Sequence, residues 1–254
     1  MDLTMCGLLA SRAEELAALY GEHGTWNDVE TVWFEQRRAN RSTTGSARKI
    51  YRVLSARFKN APVGLPNPRD LPDVLDACSS SRDKAQVLYL YLVADDALVR
   101  YTVGEYARRL DGGHPEPLEF SDETLTAILE GIEYADGSSF DYAESTTQRW
   151  CEGFRSVMRE IGALEGGQAV VGAPPSLGET PLLVATGYSH EAGGDEWVGS
   201  PRGYRDLLQP SARWEELYDR AAGTEAWEFV ELQGGLQLRP VDGVYASFTT
   251  REAG

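Results

Sequence analysis

The chain of 254 residues carries 24 basic and 40 acidic residues for a net charge of −16, and its 42% apolar content excludes a wholly disordered chain. Its longest apolar stretch, residues 87–94, is too short to span a bilayer, and no basic region precedes an apolar run at the N-terminus, which argues against a membrane span and a secretory leader. Cys6, Cys78 and Cys151 are far apart and form no CxxC pair, so neither a disulfide framework nor a structural zinc site is supported.

The sequence thus reads as a cytoplasmic protein with incidental thiols, no cofactor and no metal. Only Lys49, Lys59 and Lys84 are lysines, against 21 arginines. Scarce lysine with abundant carboxylates points to a salt-loving source, where a negative surface holds hydration; an acidic protein of ordinary origin is the alternative.

In chain order, Ser11 and Glu14 form a capping-box pattern that opens a first predicted helix, which stops near Gly21 and Gly24. Thr25 caps a second helix, on which Trp26, Val29, Val32 and Trp33 recur at helical spacing. A polar turn over residues 40–45 leads to a third helix over 46–58. Pro62, Pro66, Pro68 and Pro72 then make a connector. Residues 82–110 read as a buried hairpin of two helices, with their tyrosines in the core. After a linker over 111–117, Ser121 caps a helix carrying Leu125, Ile128, Leu129 and Ile132. Ser145 and Gln148 form a second capping-box pattern before a helix over 146–161, which Gly162 ends. Short strands over 169–171 and 182–186, joined through Pro174 and Pro175, are predicted to form the wing of a winged helix. A Gly-rich stretch over 187–203 precedes a helix over 214–222 and two or three short strands within 227–248. The predicted fold is mainly α with small β elements, with tandem helix-turn-helix or winged-helix-like units and a small α+β C-terminal block. Its divisions are 1–110, 118–187 and 188–254.

Charge is unevenly spread along this chain. Residues 37–59 hold Arg37, Arg38, Arg41, Arg48, Lys49, Arg52, Arg57 and Lys59 and no acid, a net of +8 that leaves −24 for the rest. Residues 104–144 hold eleven acids against Arg108 and Arg109. A concentrated basic stretch in an acidic chain is the expected footprint of a phosphate-contacting surface. On a helical wheel Ile50, Val53, Leu54 and Phe58 share one side. Arg48, Arg52 and Lys59 fall within about 40° of one another on the other, with Ser55 beside them. Preceded by a helix and a turn, this matches a helix-turn-helix whose second helix is presented to double-stranded DNA. The predicted contacts are Arg41, Ser42, Thr43, Thr44, Arg48, Lys49, Arg52 and Lys59, the Ser/Thr hydroxyls donating to phosphates beside free backbone amides. The competing reading is an ordinary solvated face. Arg149, Arg155 and Arg159, opposite the stripe of Trp150, Cys151, Phe154, Val157, Met158 and Ile161, form a possible second DNA face.

Catalytic patterns are missing from the sequence. His23, His114 and His190 lie beside Gly or Pro turns with no nucleophile elbow or second His at ligand spacing, and there is no GxxxxGK[ST] loop and no GxGxxG turn after a strand. The expectation is a protein that is not an enzyme.

The stretch Arg41-Ser42-Thr43-Thr44-Gly45-Ser46-Ala47-Arg48-Lys49-Ile50-Tyr51-Arg52-Val53, after an opening of Trp26, Asn27 and Asp28, resembles the BrxA family of BREX phage-defence systems. Two more stretches are similar to that family: residues 84–90, and residues 145–149 leading to 161–164. The resemblance spans roughly residues 15–167, and the block from about Gly172 departs from it. It implies a mainly helical, non-enzymatic DNA-binding component acting beside other BREX-system proteins, with Arg48, Lys49 and Arg52 as principal contacts and Arg41 and Lys59 flanking. A protein adaptor whose basic ridge docks an acidic partner, and an RNA-binding helical module, are the alternatives. In a salt-rich cell counterion release would weaken phosphate contacts, so apolar contacts, base-edge contacts or a partner would have to compensate.

Overall fold

The computed structural model describes residues 7–38, 44–111, 117–133, 137–232 and 235–249. Among them the order is α1 (Ala10–His23), α2 (Trp26–Glu35), α3 (Thr44–Lys59), α4 (Leu71–Asp76), α5 (Ser81–Asp95), α6 (Ala97–Asp111), β1 (Leu118–Glu119), α7 (Asp122–Glu130), α8 (Glu144–Glu160), β2 (Val171–Gly172), α9 (Glu179–Gly193), α10 (Arg202–Asp206), α11 (Trp214–Ala222), β3 (Trp227–Leu232), β4 (Gly235–Pro240) and α12 (Ala246–Thr249). The protein is mainly helical with two small antiparallel sheets, as expected.

Two helices that are apolar on every side organise the packing. On α5 the run from Ala85 to Val93 is buried, and on α9 the run from Thr180 to Ser189 is buried. Helices of that kind belong in the interior. α5 packs against α9, α6, α3, α1 and α8, and α9 also meets α10 and α11. Two hydroxyls of α9 are satisfied within the core. Thr186 Oγ1 donates to Leu182 O at 2.8 Å and lies 2.7 Å from the Tyr204 hydroxyl, while Ser189 Oγ donates to Ala185 O at 2.7 Å and accepts from Gly203 N at 2.9 Å. Gly203 permits this close crossing, because a Cβ there would lie 2.2 Å from Ala185 O. Gln86 ties α5 to the later chain, donating to Ile161 O and Ser176 O at 2.9 Å each.

This corrects the predicted wing. Residues 182–186 are helical, and the 187/188 division falls inside α9. Val171 and Gly172 pair with Glu119 and Leu118, on the other side of α7 and α8 in sequence. The error has a physical cause: a short apolar run buried on all sides carries no 3.6-residue period to separate it from a strand. The β3–β4 hairpin, from Trp227 opposite Pro240 to Leu232 opposite Gly235, and helix α11 agree with the predicted C-terminal block.

Helix ends followed local chemistry unevenly. Thr25 Oγ1 accepts from Asp28 N at 3.3 Å, Ser121 Oγ accepts from Thr124 N at 3.2 Å, and Gly162 takes a left-handed φ of 81° just past α8. Ser11 and Ser145, however, lie inside their helices. α1 starts after Leu9, held at φ 54°, and α8 starts after Ala143, neither with a side-chain cap.

Candidate nucleic-acid interface

Helix α3 is seated by Ile50, Tyr51, Leu54 and Phe58, all buried, and each side chain of that size contributes roughly 1.5–3 kcal/mol when removed from water. Tyr51 packs between Trp33 and Phe34, with ring centroids 6.2 and 5.7 Å away, and its hydroxyl donates to Trp26 O at 2.9 Å. Burial first, and then the nearby Glu30 carboxylate, push that phenol up to about 12, so it remains a donor. Phe58 meets Tyr91 of α5 edge-on at 5.4 Å. α3 is thereby fixed in direction by α2 on one side and α5 on the other.

The opposite side is open. Thr44, Arg48, Lys49, Arg52 and Lys59 are exposed. Arg48 and Lys49 have no hydrogen-bond or ion-pair partner among the described residues. Lys59 lies 5.0 Å above the Trp26 ring, a cation–π contact that anchors the far end of the ridge to the start of α2. α3 has no acid in its first turn, where the helix dipole favours anions. Arg41, Ser42 and Thr43 lie outside the described residues, as does most of the turn.

Arg57 and Arg38 of the acid-free run have partners elsewhere in the fold. Arg57 is only 3% exposed; its Nη1 donates to Leu8 O at 3.3 Å, and its charge lowers the carboxyl of Asp95, whose burial raises it by more. Arg38 Nη1 lies 3.0 Å from Glu15 Oε1, and its Nε donates to Gln36 Oε1 at 2.8 Å. Ser55, placed beside the ridge by the wheel, is buried and donates to Arg52 O at 3.3 Å. The C-terminal half of α3 is therefore covered on more sides than its own periodicity indicates, and the exposed ridge is its N-terminal half plus Lys59.

The second predicted face is built differently. Arg155, with a side chain 13% exposed, lies 2.5 Å from Asp122 Oδ1 and donates to Phe120 O at 3.3 Å. Arg159 donates from Nε to Gly166 O and from Nη2 to Gly167 O, both at 2.9 Å. These two arginines brace the start of α7 and the turn after α8, and Arg149 alone of the three is exposed with no partner among the described residues. Beside the start of α8, a cleft of about 510 Å³ is lined by Asp122, Glu130, Asp141 and Glu144 with Phe140 and Tyr142. Four carboxylates there oppose a phosphate backbone.

Sequence reasoning missed the Trp26 platform under Lys59, which joins α2 to α3, and the Arg38–Glu15 pair, which joins the turn after α2 to α1. The Trp26-Asn27-Asp28 opening carried the only sequence signal for either. No protein-family model, no curated protein and no solved structure matches the chain. Among the described residues no helix is long and apolar enough to cross a membrane, and no group of three or more His, Cys, Asp or Glu is placed to hold a metal ion.

Proposed function

We propose that the chain is a non-enzymatic protein that binds double-stranded DNA through the N-terminal half of α3. Arg48, Lys49 and Arg52 would contact phosphates or guanine edges, and Thr44 and the first-turn amides a flanking phosphate. The observation that carries this reading is the exposed, acid-free cluster Arg48, Lys49 and Arg52 within two turns of one helix, in a chain of net charge −16. In so acidic a molecule a local surplus of cations steers a polyanion to one place. The resemblance of residues 41–53 to the BrxA family adds a setting: a component of a BREX-type phage-defence system, acting beside the system's other proteins.

The reading is tested by titrating labelled duplex DNA with the purified chain and with the Arg48→Glu, Arg52→Glu double variant. Both substitutions are on exposed positions, so the melting temperature should hold while affinity falls by about 100-fold or more. Equal affinity in the two proteins rejects the DNA reading. Preference for structured RNA over duplex, or loss of a co-purifying acidic protein with no DNA retention by the wild type, replaces it with the RNA-binding or adaptor reading respectively.

A further inference from the structure

A second concentration of arginine lies away from α3. The cleft where α6 faces α10 and the end of α9 holds about 500 Å³, and its lining includes Arg100, Arg202, Arg205 and Asp206, with Gly104 and Ala107 along one wall. Three guanidinium groups against one carboxylate give this lining a surplus of two positive charges, against the sign of the molecule as a whole. The volume is typical of small-molecule sites. The small residues leave the floor open: a Cβ on Gly104 would meet nothing within 4 Å.

Each arginine is held by a part of its head that leaves donors over. Arg100 Nη1 donates to Ala94 O at 2.6 Å, Arg205 Nη1 donates to Ser200 Oγ at 3.3 Å, and the Arg202 guanidinium lies over the Tyr188 ring at 5.2 Å. Arg205 Nε is also 3.8 Å from Asp111 Oδ2, and Arg202 Nε is 3.7 Å from Asp206 Oδ2. A guanidinium has five N–H donors, so among the described residues most of each fork has no hydrogen-bond acceptor. Asp206 Oδ2 is itself buried without a hydrogen bond. The guanidinium donors of this cleft thus exceed the acceptors that the described residues offer them, the condition in which an oxygen-rich anion gains most, with the Asp206 carboxylate opposing it.

We propose that the cleft between α6, α9 and α10 is a binding site for a small phosphate-bearing anion, held by the forks of Arg100, Arg202 and Arg205. Arginine is suited to this role because its planar donors match a phosphate in pairs. The close seat of α10 on α9 at Gly203 holds Arg202 and Arg205 on a rigid element rather than a loop. The site is independent of α3, which is seated by α1, α2 and α5.

The test is calorimetric titration of the full chain with sodium pyrophosphate, ionic strength held constant with sodium chloride. One saturable site is expected, weakened about tenfold or more by Arg202→Gln and by Arg205→Gln, with duplex DNA affinity unchanged. Arg100→Gln, on α6, carries the same expectation and stands in if the α10 variants do not fold. Absence of saturable heat, or unchanged affinity in the folded variants, overturns the proposal. Displacement of pyrophosphate by duplex DNA, together with lost DNA affinity in the arginine variants, also overturns it, because the cleft would then be part of a nucleic-acid path.

Discussion

On α3 the cations Arg48 and Lys49 stand in solvent with no partner among the described residues, whereas on α8 Arg155 and Arg159 turn inward to Asp122, Phe120 and the chain at 166–169. Both helices are amphipathic, with arginines opposite an apolar stripe, and a wheel draws them almost alike. What separates them is the surroundings. α8 follows a segment rich in carboxylates that folds beside its first turn, and two of its arginines have become internal braces. α3 comes from an acid-free run, and the elements that seat it leave Arg48, Lys49 and Arg52 exposed. Arginine on a helix face is available to a ligand only where the fold has found no other use for it.

That contrast can be broken from the structural side. Arg57 lies on α3 but belongs with the braces, so Arg57→Met should cost about 2–4 kcal/mol in chemical denaturation, by orphaning Leu8 O and removing the charge beside Asp95. A loss below about 0.5 kcal/mol would show that burial of this guanidinium contributes little. Arg155→Ala should cost less, about 1–2 kcal/mol, since its partner Asp122 is more than half exposed and the pair is partly screened. Its duplex affinity should equal that of the wild type. A fall in affinity with unchanged stability would move α8 into the binding surface.

A pH-dependent effect sharpens the same distinction at the third arginine cluster. Burial raises the Asp206 carboxyl from 3.8 to about 6, with Arg202, Arg100 and Arg205 pulling the other way. The folded state therefore holds this proton more tightly than the unfolded chain. The resulting stabilisation is full below about pH 4 and is lost as pH rises towards 6, where the carboxylate ionises in a buried place. Replacing Asp206 with Asn removes that component, so the difference in stability between variant and wild type should shift in the variant's favour between pH 4 and pH 7, by about 2 kcal/mol. Thermal melts at the two pH values measure it, and a pH-independent difference would contradict the burial of this carboxyl.

Much of this was legible in the chain itself. Thr25, Ser121 and Gly162 mark helix ends by local chemistry, and the apolar runs of α5 and α6 form the hairpin they predict, with Asp96 Oδ1 accepting from Leu98 N and Val99 N at the corner. The helix α9 was hidden because burial on every side erases periodicity. Ser55 was misplaced because a wheel gives the direction of a side chain but not what stands there. At the candidate interface the types and order of the cations were readable. Their availability was not, since it depends on partners such as Glu15 for Arg38 and Asp122 for Arg155, 23 and 33 residues away.

The central claim, that α3 and not α8 meets the DNA backbone, is tested most directly by the salt dependence of duplex binding in paired neutral variants. Each lost phosphate contact should reduce the slope of log K against log salt by about 0.9. The account predicts a fall of nearly 2 for Arg48→Ala with Arg52→Ala, and no change for Arg149→Ala. An unchanged slope in the α3 variant, or a reduced one in the α8 variant, would contradict it.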